Sequence, residues 1–237
     1  MQSMNLNKEN VAMAQGKKLF SKELLMRTIS AVILAPIILW IIAIGGFTYK
    51  FTVLIIAILM AFEWNQLTSQ HEKQKALWKI VGLCYIGIPC LALLFIREQA
   101  NGVHIIYWML AIIWATDIGA YFAGSIIGGP KIAPKISPKK TWSGLVGGVL
   151  CAVLVGVIAA TIIKPHNPNY LVILSFILSL YAQVGDLVES FVKRYFGVKD
   201  TGSIIPGHGG ILDRVDSLVP VAPKVALVCI FDHFGVF

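Results

Sequence analysis

The sequence predicts an all-α fold: a polytopic transmembrane helical bundle of about seven spans with a cytoplasmic N-terminus. Of its 237 residues, 57% are hydrophobic and only 14% are charged, whereas a soluble domain carries roughly 25% charged residues. The apolar residues are gathered in blocks of about twenty, the length that crosses a bilayer. Basic residues load every second connecting loop, the asymmetry expected of loops on the two sides of a membrane.

Taken in order, residues 1–27 form a polar arm with Lys8, Lys17, Lys18, Lys22 and Arg27 and no cleavable signal pattern. Residues 28–100 are read as an N-terminal transmembrane region, with spans near 28–46, 51–68 and 78–96. Pro36 and Pro89 lie inside the first and third, which membrane helices tolerate. Residues 101–237 form a second transmembrane region that carries the polar motifs, with spans near 103–128, 141–163, 169–196 and 217–234. The fourth span reads either as one long tilted helix or as two broken ones. The basic loops are 69–79, 129–140 and 193–215, and with the N-terminal arm they fall on one face, expected to be cytoplasmic.

The net charge of +8 is therefore a matter of topology, and no nucleic-acid partner is expected. Cys84, Cys90, Cys151 and Cys229 lie in apolar runs without metal-ligand spacing and are expected to be buried free thiols.

Polar residues in apolar surroundings are the candidates for chemistry. Asp117 lies deep in the fourth span and Asp186 near the end of the sixth. An acid at the membrane centre costs about 2.5–3.5 kcal/mol on the insertion scale. Either acid could instead serve structure, Asp117 by bonding a neighbouring helix and Asp186 by pairing with Lys193. On a helix, Asp186, Ser190 and Lys193 fall within about 40° of one another, with Glu189 at the edge of that face. The loop GGPKIAPKISPKKTWSG places Ser137, Lys139, Lys140 and Thr141 beside a helix N-terminus, a setting that suits phosphate or serves simply as a basic anchor. Downstream, Gly207, Gly209 and Gly210 surround His208, and Asp213 and Asp216 flank Arg214. The glycines suit a turn or an anion-binding set of N–H groups; the acids could cap the last helix or, with Asp186, hold magnesium. There is no GxxxxGK[ST] motif. The residues alone point to metal-assisted phosphoryl or nucleotidyl transfer on a lipid phosphate at the cytoplasmic membrane rim.

The stretch SFVKRYFGVKDTGSIIPGHGGILDRVD, from Ser190 to Asp216, resembles the signature of the phosphatidate cytidylyltransferases, also called CDP-diacylglycerol synthases. ATDIGAYFAG and SPKKTWSG upstream look similar to the same family, so the resemblance covers about 110–237. It implies that CTP and phosphatidic acid give CDP-diacylglycerol and pyrophosphate with Mg²⁺, in a bacterial inner membrane, with the active site facing the cytoplasm. On this resemblance Asp186 and Asp213 would bind Mg²⁺ first, and Asp216 and Asp117 would support it or bind a second cation. Lys193, Arg194 and Lys199 would hold phosphates and Ser190 would donate a hydrogen bond. Ser137, Lys139, Lys140 and Thr141 would belong to the CTP site. His208 with Gly209 and Gly210 would shape the turn over the leaving group, and Arg214 would bind substrate. Membrane lipids surround such a protein, and the resemblance carries a homodimer formed through membrane helices. The alternatives are a CTP-dependent lipid or polyprenol kinase and a secondary transporter of an anionic solute.

Overall fold

The computed structural model describes residues 32–69, 75–165, 167–202 and 209–231; the expected N-terminal arm 1–27 and His208 lie outside them. Among the described residues, five helices are long and apolar enough to cross a membrane: α2 (Gly46–Thr68), α3 (Lys75–Arg97), α4 (Gly102–Ile126), α5 (Trp142–Ile163) and α6 (Pro168–Tyr195). Two shorter apolar helices stand where the first and last spans were expected, α1 (Val32–Ile44) and α8 (Leu218–Ile230). A four-residue helix, α7 (Leu212–Val215), precedes α8. The chain is thus an all-α polytopic membrane protein. The fourth span is one unbroken helix, not two.

The expected loop 129–140 is more ordered than its three prolines suggested. It forms an antiparallel hairpin of β1 (Lys131–Ala133) and β2 (Ser137–Thr141), with Lys131 opposite Thr141. Thr141 then caps α5, its side-chain oxygen accepting from Gly144 N at 3.1 Å, the usual role of a threonine before a first helical turn.

Small residues set the closest helix packing. Apolar side chains gain nothing by leaving lipid, so close van der Waals approach holds membrane helices together. A Cβ on Gly147 would come 2.3 Å from Ala123 Cβ, and one on Gly148 would come 2.7 Å from Thr116 O. The Ala120–Gly124–Gly128 repeat fits this α4–α5 seam up to Gly124; Gly128 lies beyond the helix, with φ 68°. The core beside the seam includes Ile105, Ile106, Met109 and Ile112 of α4, Leu171 and Leu178 of α6, and Val221 and Val225 of α8. All four cysteines are free as expected, but Cys84 is exposed and the other three are half-buried.

The two ends of the bundle differ. At one end Lys50 pairs with Glu98 at 2.6 Å. There Arg97 also donates to Ile42 O and Ala43 O at 2.8 and 3.1 Å, meeting carbonyls that the end of α1 leaves open. At the other end, Trp78 packs on Tyr195 and Phe196, and Arg194 Nε donates to Ile136 O at 3.4 Å. The hairpin, the end of α6 and the start of α3 therefore meet at one pole, as the alternation of basic loops required.

Candidate active site

At that pole lies a cavity of about 370 Å³, within the usual range for small-molecule sites. Asp117 of α4, Asp186 of α6, and Asp213 and Asp216 around α7 line it together with Lys139, Lys140 and Arg214. Four acids separated by up to a hundred positions thus reach one space, as the sequence had suggested. Thr141 and Gln183 line it as well.

The pairings differ from those expected. Asp186 Oδ2 is bound by Lys140 Nζ at 2.6 Å, not by Lys193, and its Oδ1 accepts from Ser190 Oγ at 3.3 Å. Lys140 also donates to Gln183 O at 3.2 Å, which ties the hairpin to α6. Lys193 Nζ lies 2.7 Å from Asp213 Oδ1 and 3.1 Å from Glu189 Oε1. Glu189, placed at the edge of the face by helical geometry, is one of the two partners of this buried ammonium, with its side chain 4% exposed. The Lys193 ammonium lies between two carboxylates, and Lys193 is not among the residues that line the cavity. Nor do Arg194 and Lys199 line it. Arg194 donates to Val198 O at 3.1 Å as well as to Ile136 O, and Lys199 is exposed. Ser137 is half-buried in β2, also away from the cavity lining.

Asp213 organises the turn before it. Its Oδ2 accepts from Thr201 N at 3.0 Å, Thr201 Oγ1 at 3.0 Å and Gly210 N at 2.9 Å. The Gly210 N–H is thus turned to the protein's own carboxylate rather than to a substrate anion. Gly209 is needed for the same reason: its φ is 82° and a Cβ there would approach Asp213 Oδ2 to 2.9 Å. Burial alone would raise the Asp213 carboxyl, but the Lys193 ammonium and the Gly210 and Thr201 N–H groups together hold it below the usual carboxylate range.

Asp216 behaves in the opposite way. Burial first, then the nearby charge of Asp186, push its carboxyl up to about 7, against the Ser217 N–H bond that favours the charged form. Between the unfolded value of 3.8 and about 7 the native state holds the proton that the unfolded chain has lost. Stability then falls as pH rises through this window. In metal-free detergent solution the wild-type melting temperature is expected to fall between pH 5 and 7 relative to Asp216→Asn. Parallel melting curves for the two proteins would refute the assignment.

Sequence reasoning passed over Glu63, Thr201 and Gln183. Glu63 on α2 has no exposed surface. Its Oε1 accepts from Ile211 N at 2.8 Å and its Oε2 from Leu212 N at 2.9 Å, while Thr201 Oγ1, whose one proton goes to the nearer Asp213, lies 3.4 Å from Oε2. An acid midway through a Phe-Glu-Trp-Asn run at the end of an apolar span was its only signal.

Magnesium is suited by oxygen ligands and binds through one or two carboxylates plus substrate phosphates. The four lining acids supply that chemistry. Among the described residues, no three His, Cys, Asp or Glu side chains form a ready-made cage. Of the roughly four lone-pair directions of a carboxylate, the three donors on Asp213 Oδ2 leave Oδ1, already bound to Lys193, as the oxygen this residue could offer.

Acids and bases facing a common cavity at one pole of an apolar bundle have the chemistry to hold a divalent cation and phosphate groups. The chain belongs to the cytidylyltransferase family, whose profile matches residues 71–231. That match begins well before residue 110, where the visible resemblance started. The chain is similar to the phosphatidate cytidylyltransferase of Brucella suis biovar 1, with 34% identity over 85% of this chain and 91% of the relative. It is 41% identical to that of Rickettsia felis over 91% and 98% of the two chains, and 38% identical to that of Rickettsia typhi over 93% and 96%.

Proposed function

We propose that the chain transfers the cytidylyl group of CTP to phosphatidic acid, giving CDP-diacylglycerol and pyrophosphate, from the cytoplasmic face of a bacterial inner membrane. Family membership and the names of the relatives support the reaction. The observation that carries it is the shared cavity, where Lys139, Lys140 and Arg214 face Asp117, Asp186, Asp213 and Asp216.

In the reaction a phosphate oxygen of phosphatidate bonds to the α-phosphorus of CTP, and the bond from that phosphorus to the bridging oxygen of the β-phosphate breaks. The attacking oxygen is already anionic, so no strong base is required. The difficulty is bringing two polyanions together. Lys139, Lys140 and Arg214 hold the phosphates, while Thr141 and the hairpin fix the nucleotide at the start of α5. Asp186, Asp216 and Asp117, with Oδ1 of Asp213, would hold magnesium, and a second cation would use the same acids. When bound, magnesium supplies positive charge between the two phosphates. Lys193 keeps Asp213 in place, and Ser190 keeps Asp186. The homodimer belongs to the same reading, since Phe47, Phe51, Leu54, Ile58 and Phe62 leave α2 with an apolar surface for lipid or a second copy.

The test is purified protein with radiolabelled CTP and phosphatidate, with and without Mg²⁺. Labelled CDP-diacylglycerol and pyrophosphate are expected, and only with Mg²⁺. Release of CDP would indicate a kinase, and the absence of both products a transporter.

A further inference from the structure

We infer that Glu63 is a positioning residue for this reaction: from α2 it clamps the turn that presents Asp213 to the cavity. The inference rests on the activity proposed above. Glu63 is 0% exposed, and among the described residues it has no ion-pair partner. A carboxylate buried in this way is costly unless hydrogen bonds satisfy it. Among the described residues, its oxygens are met by Ile211 N and Leu212 N, with Thr201 Oγ1 3.4 Å from Oε2.

Gly202 and Gly210 also make room for it. A Cβ on Gly202 would come 2.9 Å from Glu63 Oε1, and one on Gly210 would come 2.6 Å from Oε2. Bare backbone at both positions leaves room for the carboxyl group. Two links join Glu63 to the acid in the cavity. Thr201 Oγ1 lies 3.4 Å from Glu63 Oε2 and 3.0 Å from Asp213 Oδ2. Ile211 N and Leu212 N, both held by Glu63, immediately precede Asp213 in the chain. Glu63 itself does not line the cavity and touches no reacting atom. It lies outside the matched family segment, which begins at residue 71.

A group that places a reacting constellation shows itself mainly in turnover, and a misplacement of about 1 Å can cost on the order of a hundredfold. For Glu63→Gln, whose amide N–H₂ would oppose backbone donors, kcat per folded molecule is expected to fall about 10- to 100-fold. KM for CTP and for phosphatidate should stay within about threefold. Amide hydrogen exchange should accelerate over 210–212 and stay unchanged in α4 and α5. A folded Glu63→Gln protein with wild-type kcat, or with a loss confined to the yield of folded protein, overturns the inference. If that variant does not fold, Glu63→Asp decides: it keeps the carboxyl group but draws it back from Ile211 N and Leu212 N. A fall in kcat of about tenfold sustains the inference, and wild-type kcat overturns it. Should the wild type itself release no pyrophosphate, the proposed reaction fails, whereas the exchange measurement still reports whether Glu63 clamps the turn.

Discussion

Asp213→Asn is expected to reduce CTP-dependent CDP-diacylglycerol formation in detergent by about a hundredfold or more, at every Mg²⁺ concentration. The carboxylate accepts from Lys193 on one oxygen and from Thr201 and Gly210 on the other. An asparagine has one acceptor oxygen, so its N–H₂ must point either at an ammonium or at backbone N–H groups. Each choice sets donor against donor in a buried place. The same change weakens the oxygen this residue offers to a cation. Near-normal turnover across the Mg²⁺ range would remove Asp213 from the site.

Lys193→Ala is expected to be the most damaging change to the scaffold and the chemistry together. Its ammonium lies between Glu189 and Asp213, whose side chains are 4% and 7% exposed. Removing one partner of a buried pair typically costs about 3–5 kcal/mol, because the remaining charge is left uncompensated. Glu189 would suffer most, since its Oε2 already has no hydrogen-bond partner among the described residues. The expected result is a clear fall in melting temperature and a loss of about a hundredfold or more in kcat/KM. Wild-type melting and kinetics would show that the Glu189–Lys193–Asp213 contact holds nothing in place.

The sequence displayed those parts of the site that are unusual for their neighbourhood. Asp117 and Asp186 stand out because acids are expensive within apolar helices, and both line the cavity. The seam of glycines and the basic pole were legible for similarly local reasons. Pairings between distant segments were not. Helical geometry put Lys193 on the face of Asp186, yet the hairpin delivers Lys140 to Asp186 and leaves Lys193 to Glu189 and Asp213. The hairpin itself was hidden by prolines, which argue against strands in general but are tolerated in a two-stranded ribbon with free edges. Glu63 was hidden for another reason. Acids near the end of a span are ordinary, and its amide partners lie 148 and 149 positions away.

The length of α6 has a consequence for where the protein can work. Its 28 residues extend about 42 Å, against a hydrocarbon layer about 30 Å thick. Measured from Pro168, Asp186 comes at about 27 Å and Lys193 about 10 Å higher. With Pro168 at the opposite edge of the hydrocarbon layer, the acids that face the cavity would stand at the level where acyl chains give way to glycerol and phosphate. The host bilayer becomes a gauge for the reaction: a leaflet a few ångströms too thick would submerge the carboxylates, and one too thin would lift them clear of the lipid they must meet.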